Sequence, residues 1–102
     1  MTTTKIVPEI EVLEESETEL EPLYRVIIHN DDVTPMDFVV HVLLTVFFIP
    51  NPAAAHIMFT AHLNNHAHVQ TLPKQEAQKR INQAHFLAAM KNYPLHFTME
   101  PE

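Results

Sequence analysis

The feature that most limits the fold of this chain is the complete absence of glycine from its 102 residues. Glycine usually supplies the left-handed backbone conformations at tight turns and helix ends. The turns must therefore be made with asparagine, aspartate, proline or histidine, and we expect Asn64, Asn65 and Asn92 to take the left-handed conformations. The same absence excludes a glycine-rich phosphate-binding loop.

Hydrophobic spacing after residue 22 predicts three strands and three helices. Apolar residues three and four positions apart predict helices, and strict alternation predicts strands. In chain order we expect a strand at 24–29 and a helix at 36–47. A second helix follows, capped by Asn51 with Pro52 at its first position, and ends at 63–65. We then expect a weakly indicated strand at 66–71, a third helix from Pro73 to about Met90 and a strand at 95–100. This order, β-α-α-β-α-β, predicts an α+β domain in which three helices pack on one face of a small three-stranded antiparallel sheet.

Charge divides the chain into an acidic arm and a nearly neutral body. Residues 1–22 contain seven Glu, one Lys and no aromatic residue, whereas residues 23–102 contain six acidic and five basic residues. A segment of this composition cannot bury enough apolar surface to fold alone. We therefore predict a disordered acidic N-terminal arm (residues 1–22) and a single folded domain (residues 23–102). The arm serves either solubility or contact with a partner.

Composition also excludes several classes of function. The net charge of −7 argues against a nucleic-acid partner, because neutralising phosphates needs clustered Lys and Arg. No apolar run approaches the length of a membrane span, and no signal segment opens the chain. The absence of cysteine excludes disulfides and thiol chemistry. We expect a cytoplasmic monomer that carries no cofactor.

The junction between the first strand and the first helix concentrates polar side chains beside apolar ones. Asn30, Asp31 and Asp32 stand together there, and Thr34-Pro35-Met36-Asp37 follows. Thr34 has the properties of an N-cap, Pro35 suits the first helical position, and Asp37 is placed to complete a capping box. Turn and cap formation alone explains many such runs. The alternative is a cluster of acceptors that holds a cationic head group with a hydrophobic tail.

The chain from Tyr24 to Glu100 resembles the ClpS adaptor family. The resemblance rests on the run Tyr-Arg-Val-Ile-Ile-His-Asn-Asp-Asp-Val-Thr-Pro-Met-Asp-Phe-Val-Val at 24–40, on Met58 followed four residues later by His62, and on Tyr93-Pro94-Leu95. Proteins of this family deliver substrates with destabilising N-terminal residues to a Clp-type AAA+ unfoldase and its protease. The resemblance therefore implies an adaptor that binds N-terminal Leu, Phe, Tyr or Trp, with an unfoldase of the ClpA or ClpC class as its partner.

The resemblance also implies a set of site residues. Those that would bind the α-amino group and first peptide unit of the substrate are Asn30, Asp31, Asp32, Thr34 and His62. Those that would line the pocket for the N-terminal side chain are Met36, Val39, Met58, Ala61 and Leu95, with Met36 at its mouth. A cationic amine occurs in the backbone only at the N-terminus, and charge-assisted hydrogen bonds to it are strong. For Val39 and Leu95 a role in the hydrophobic core is an equally good interpretation.

The third helix departs most from the family. Arg80 stands where a Lys is usual, and it is our candidate for an unfoldase contact, whereas Gln75 and Gln78 replace acidic residues. Ala61 replaces a common Val, which predicts a wider pocket, and Asn64-Asn65-His66-Ala67-His68 replaces a segment that contains glycine. One alternative is thus a ClpS-like protein that has lost one of its two binding partners.

The eight histidines raise another alternative, a metal-binding protein on the same fold. His62, His66 and His68 are close in sequence, and His29 and Asp31 are candidates to lie near them. Two imidazoles with a carboxylate form a common zinc ligand set. Against this, the helix that carries His62 is predicted to end before His66. Since the only serine is Ser16 and no nucleophile accompanies Asp32 and His62, we expect a binding protein without a metal and without enzymatic activity.

Overall fold

The computed structural model describes residues 21–102. Its six elements are β1 (Leu23–His29), α1 (Met36–Thr45), α2 (Asn51–Asn64), β2 (His66–Pro73), α3 (Lys74–Met90) and β3 (His96–Pro101). The predicted α+β class and element order are confirmed. The predicted disordered arm lies outside the described residues except for Glu21 and Pro22, and the boundary between arm and domain at residue 22 stays a prediction.

The sheet is antiparallel, with β1 between β2 and β3. Strand β1 occupies the centre, and its β-branched residues Val26, Ile27 and Ile28 are all buried, as suits a strand that is paired on both sides. Val26 and Ile28 enter the hydrophobic core with Phe97 of β3 and apolar residues of all three helices. A shift of register between Val26 and Ile27 marks an irregularity in the β1–β2 pair.

Within residues 21–102, three residues take positive φ values, the conformation that glycine usually supplies. Asn65 has φ 74° at the end of α2 and Asn92 has φ 60° after α3, as expected from the sequence. The same expectation for Asn64 is wrong, because Asn64 is the last residue of α2. Phe48, with φ 56°, was not expected. Its neighbours Phe47 and Ile49 are both buried, and the turn allows the Ile49 N–H to donate to the Leu43 carbonyl at 3.1 Å. A left-handed residue of this kind costs about 1–3 kcal/mol, which the packing of its two neighbours offsets.

The predicted helix caps are wrong by one residue. All three helices begin directly after a proline in extended conformation, at Pro35, Pro50 and Pro73, and none of these positions has a side-chain cap. Proline fits there because its fixed φ and extended ψ match the N-cap conformation. Thr34 and Asn51 are therefore not N-caps, and the Asp37 carboxylate accepts from the Phe38 N–H at 2.9 Å instead of closing a capping box.

The N–H groups in the first turn of α3 donate hydrogen bonds to the segment before β1. The Lys74 N–H donates to the Pro22 carbonyl at 3.0 Å, and the Gln75 N–H donates to the Glu21 carboxylate at 2.8 Å. These bonds satisfy donors that Pro73 cannot satisfy. The predicted inward face of α3 is confirmed, because Ala77, Ile81, Ala84 and Ala88 are buried. Among residues 21–102, no helix is long and apolar enough to cross a membrane.

Candidate functional site

A pocket of about 200 Å³ opens where the loop after β1 meets the start of α1 and the end of α2. All ten residues that the sequence analysis proposed for the substrate site line this pocket, and their binding roles remain predictions. The lining residues are Ile28, His29, Asn30, Asp31, Asp32, Thr34, Met36, Val39, Met58, Ala61, His62 and Leu95. Segments far apart in sequence therefore meet at one site.

The floor of the pocket is apolar and belongs to the core. Val39, Met58, Ala61 and Leu95 are each at most 9% exposed, so these side chains both support the fold and face the pocket. Met36 differs from them because it is 43% exposed and lies at the first position of α1. An apolar cavity of about 150 Å³ is large enough for a benzene molecule. The pocket therefore has room for a branched aliphatic or a phenyl side chain.

Asp31 organises the loop that forms the polar rim. One of its carboxylate oxygens accepts from the N–H groups of Val33 and Thr34 at 2.8 and 2.6 Å, and the other accepts from the Thr34 hydroxyl at 2.9 Å. Partial burial raises the pKa of Asp31, but the three hydrogen bonds together lower it by more. The pKa of Asp31 therefore lies below its ordinary value. Asp31 thus stays ionised while its acceptor sites are largely used within the loop.

Three other polar side chains of the rim form no such hydrogen bonds. Within residues 21–102, the side chains of Asn30, Asp32 and His62 accept or donate no hydrogen bond, and all three residues are exposed. One backbone bond, from the Asn30 N–H to the Asn65 carbonyl at 2.8 Å, joins the loop to the end of α2. Because His62 lies in the last turn of α2, this bond holds the imidazole on the same rim as Asn30.

Sequence reasoning missed His29 and Ile28 as pocket residues. The His29 Nε2 atom lies 2.7 Å from the Thr98 hydroxyl, and its ring centroid is 5.5 Å from that of His96. Burial lowers the pKa of His29, and the neighbouring His96 and His66 lower it further. The signal that would have found both residues is their position, because the end of a strand that precedes a binding loop shares the rim of that loop.

Arg80 lies outside the pocket. Its guanidinium pairs with Glu76 at 2.9 Å, donates to the Gln70 amide oxygen at 3.0 Å and stacks over the Phe48 ring at 5.3 Å. Its side chain is only 19% exposed. The contacts show that Arg80 joins α3 to β2 and to the end of α1, while its predicted contact with an unfoldase stays a prediction.

The histidines that suggested a metal site are not arranged as a set of metal ligands within residues 21–102. His66 begins β2 opposite His29, whereas the His68 Nε2 atom lies 2.9 Å from the Thr71 hydroxyl. His62 belongs to the preceding helix, which ends before His66. In the part of the chain from residue 21 onward, no three His, Asp or Glu side chains are grouped so that they could hold a metal ion.

Comparison with known proteins identifies the family of this fold and pocket. The family described as "ATP-dependent Clp protease adaptor protein ClpS" matches residues 19–98. The chain belongs to the ClpS family. It is 40% identical over 81 residues to the ClpS adapter protein of Desulforapulum autotrophicum. The aligned region covers 79% of this chain and 78% of that protein. It is 42% identical over 86 residues to the ClpS 2 adapter protein of Mesorhizobium japonicum, which covers 84% of this chain and 85% of that protein.

A solved structure of a ClpS protein has the same fold. The structure of Agrobacterium tumefaciens ClpS2 bound to L-phenylalaninamide matches with a TM-score of 0.77 and 36% sequence identity. The match covers 80% of this chain and 99% of that one. The ClpS domain is thus represented here almost in full.

Proposed function

We propose that this protein is an adaptor that binds destabilising N-terminal residues (Leu, Phe, Tyr or Trp) and delivers the proteins that carry them to a Clp-type AAA+ unfoldase of the ClpA or ClpC class. The observation that carries the proposal is the pocket, in which an apolar floor adjoins a rim where the side chains of Asn30, Asp32 and His62 have no hydrogen-bond partner among residues 21–102. A related ClpS2 protein is bound to L-phenylalaninamide. That ligand combines a free α-amino group, one amide and a phenyl ring, which match the rim and the floor in kind.

The rim provides the discrimination between an N-terminus and internal sequence. An α-amino group is cationic and carries several N–H donors, so it needs acceptors that are not already used. Asn30 and Asp32 supply oxygen acceptors, and the His62 imidazole supplies a nitrogen acceptor. Charge-assisted bonds to such an amine are about twice as strong as neutral ones. We assign Asp31 and Thr34 a different role within the site, which is to fix the loop that presents these acceptors.

The floor reads the first side chain of the substrate. Met58, Val39 and Leu95 provide apolar contacts, and Ala61 is too small to fill its part of the wall. Met side chains adapt to ligands of different shape. Met36, exposed at the mouth, would contact the Cβ atom of the bound residue, where Ile and Val are branched and Leu and Phe are not.

Peptide binding tests this proposal with a matched pair of variants. Fluorescent peptides that begin with Phe, Leu, Tyr and Trp should bind the unmodified protein. Asp32→Asn keeps the shape of the side chain and should weaken binding by about 1–3 kcal/mol, as for loss of a charged partner. Asp37→Asn removes a charge from the neighbouring helix turn, whose carboxylate bonds its own segment, and should leave affinity unchanged. Equal effects of the two variants would show a general charge effect and refute the rim assignment.

Delivery to an unfoldase is a separate part of the proposal. We assign the contact to the part of α3 that includes Arg80, and we propose that the adaptor acts as a cytoplasmic monomer without enzymatic activity or a cofactor. Degradation of a reporter with an N-terminal Phe by a purified Clp unfoldase and protease should require this protein. Arg80→Gln should reduce degradation and leave peptide affinity unchanged. Normal peptide binding with no delivery by the unmodified protein would indicate a relative that has lost its unfoldase partner.

A further inference from the structure

A second apolar surface lies at the end of α1, whereas the pocket lies at its start, and the two share no residue. Its main side chains are Phe48 and Phe86, which are 72% and 65% exposed. They line one groove, here named the α3 groove, which consists of Thr45, Val46, Phe48, Asn82, Gln83, Phe86 and Leu87. Two exposed phenylalanines in one groove are unusual for a small domain and indicate a surface that binds something.

An exposed stripe of α3 connects this groove to the point where the N-terminal arm enters the domain. Gln75, Lys79, Asn82 and Phe86 are all exposed, and their spacing of four, three and four places them along one side of the helix. Glu21 bonds the N–H of Gln75, so the chain that precedes residue 21 starts at one end of this stripe. The α3 groove lies at the other end.

Charge along this helix is opposite to that of the arm. Of the five Lys and Arg residues after residue 22, four belong to α3 or follow it directly: Lys74, Lys79, Arg80 and Lys91. Arg80 is paired with Glu76, but the three lysines form no ion pair within residues 21–102. Residues 1–20 contain six Glu and one Lys. Five apolar residues lie within residues 6–13 of this segment, namely Ile6, Val7, Ile10, Val12 and Leu13.

The length of the arm fits the distance. Gln75 and Phe86 are eleven residues apart, and at a rise of 1.5 Å per residue the stripe is roughly 16 Å long. The seven residues 14–20 span at most about 25 Å when extended. A linker of this length is therefore long enough for Leu13 to reach the α3 groove.

We propose that residues 6–13 of the arm dock in the α3 groove of their own chain. Ile10, Val12 and Leu13 supply the apolar contacts, and the adjoining glutamates face Lys79 and its neighbours. A short tether gives an effective concentration in the range of about 1 mM. A segment with a dissociation constant near that value is bound about half of the time. This inference does not rest on the proposed function, because it involves neither the pocket nor an unfoldase.

Paramagnetic NMR tests the contact in the full chain. Since the sequence lacks cysteine, Thr4→Cys provides a single attachment site for a nitroxide label next to the docking segment. The amide signals of Phe48, Gln83 and Phe86 should lose intensity by about half or more, as expected for half occupancy. The signal of Phe59, which is also an exposed phenylalanine but lies on α2, should lose much less. Uniform loss across the domain, or no loss at the groove, would overturn the proposal.

Two variants and a mixing experiment make the test specific. Phe86→Ser should abolish the local loss of intensity, whereas Phe59→Ser should preserve it, and both positions are exposed enough to tolerate serine. Replacing Ile10 and Leu13 together by Ser should act like Phe86→Ser. In a mixture of labelled chains invisible to NMR and unlabelled visible chains, the effect should vanish. If the loss of intensity persisted in that mixture, the groove would bind the arm of a second copy. If Phe86→Ser left the loss unchanged, the arm would lie elsewhere. Either result would contradict the proposal.

Discussion

The pocket and helix α3 differ in how their polar side chains are used. At the pocket rim, Asn30, Asp32 and His62 are exposed and have no partner among residues 21–102. On α3, Arg80 is largely buried and bonds Glu76 and Gln70. An exposed polar side chain without a partner in the domain is free to bind a ligand, whereas one that bonds other residues of the domain contributes to the stability of the fold. Resemblance to a family thus implies a functional role for a residue. The contacts of that residue show whether it also has a structural role.

The comparison predicts its largest effect on stability for Arg80→Ala. The substitution removes the ion pair with Glu76 and leaves the Gln70 amide oxygen without its donor. The free energy of unfolding should fall by about 1–3 kcal/mol, because the lost hydrogen bonds come from a charged group and their acceptors are partly buried. Urea unfolding measures this loss, and binding of a Phe peptide should not change. A stability loss below that of Lys79→Ala, a matched exposed cation on the same helix, would contradict the structural role.

Met36→Ala should show the opposite behaviour. Because Met36 is 43% exposed, its truncation should leave stability nearly unchanged. It should weaken binding of Leu and Phe peptides by up to about 1–3 kcal/mol through lost apolar contacts. It should also admit peptides that begin with Ile and Val. Affinities for these four peptides decide the matter, and a proportional loss for all of them would make Met36 a general packing residue. Ala61 should bias the unmodified pocket towards Phe, Tyr and Trp over Leu.

A smaller effect is expected at mildly acidic pH. The His85 Nε2 atom accepts the Phe97 N–H at 3.0 Å, and its ring stacks on His96. Burial lowers the pKa of His85, and His96 lowers it further. The unfolded chain therefore takes up a proton near pH 6.5 before the folded one does. The stability that the neutral ring contributes is present above that pH and is lost as the pH falls below it.

His85→Gln keeps an acceptor for the Phe97 N–H but does not titrate. Thermal unfolding of this variant should depend less on pH between 7 and 5 than that of the unmodified protein. His41→Gln, a change at an exposed histidine of α1, serves as the control and should retain the full dependence. An undiminished dependence in His85→Gln would assign the effect to other groups, such as His29.

The smallest effect concerns the start of α3. Glu21→Ala removes the carboxylate that accepts the Gln75 N–H, and the free energy of unfolding should fall by about 0.5–1 kcal/mol, as for loss of a helix cap. Glu102→Ala is the matched control, because it removes an exposed carboxylate while the backbone N–H that donates to the Leu23 carbonyl is kept. A difference of zero between the two variants would show that α3 is not held by this bond.

The fold was predictable from the sequence because its signals are local. Alternation in β3, helical spacing in α1 and α3, and asparagine at 65 and 92 all act through the nearest neighbours of each residue. Phe48 was not predictable, since its left-handed conformation follows from the burial of Phe47 and Ile49 against distant segments. The caps were misplaced because proline, not the polar residue beside it, occupies each N-cap.

The membership of the site was predictable from resemblance, but its internal arrangement was not. Asn30, Asp31 and Asp32 are equivalent in the sequence, and only the loop geometry separates Asp31, with its three bonds, from its two neighbours. Likewise the bond from the Asn30 N–H to the Asn65 carbonyl, which joins the loop to the end of α2, could not be inferred from the sequence. Such long-range contacts leave no pattern in a single sequence.

The central claim is that the rim binds a cationic amine. The most direct measurement compares two fluorescent peptides that begin with Phe and differ only in acetylation of the α-amino group. Acetylation removes the charge and part of the donor capacity while it leaves the phenyl ring intact. We predict that the free peptide binds and that acetylation weakens binding by about 10- to 100-fold or more, in keeping with a charged hydrogen bond of about 1.5–3 kcal/mol. Equal affinity for the two peptides would contradict the account.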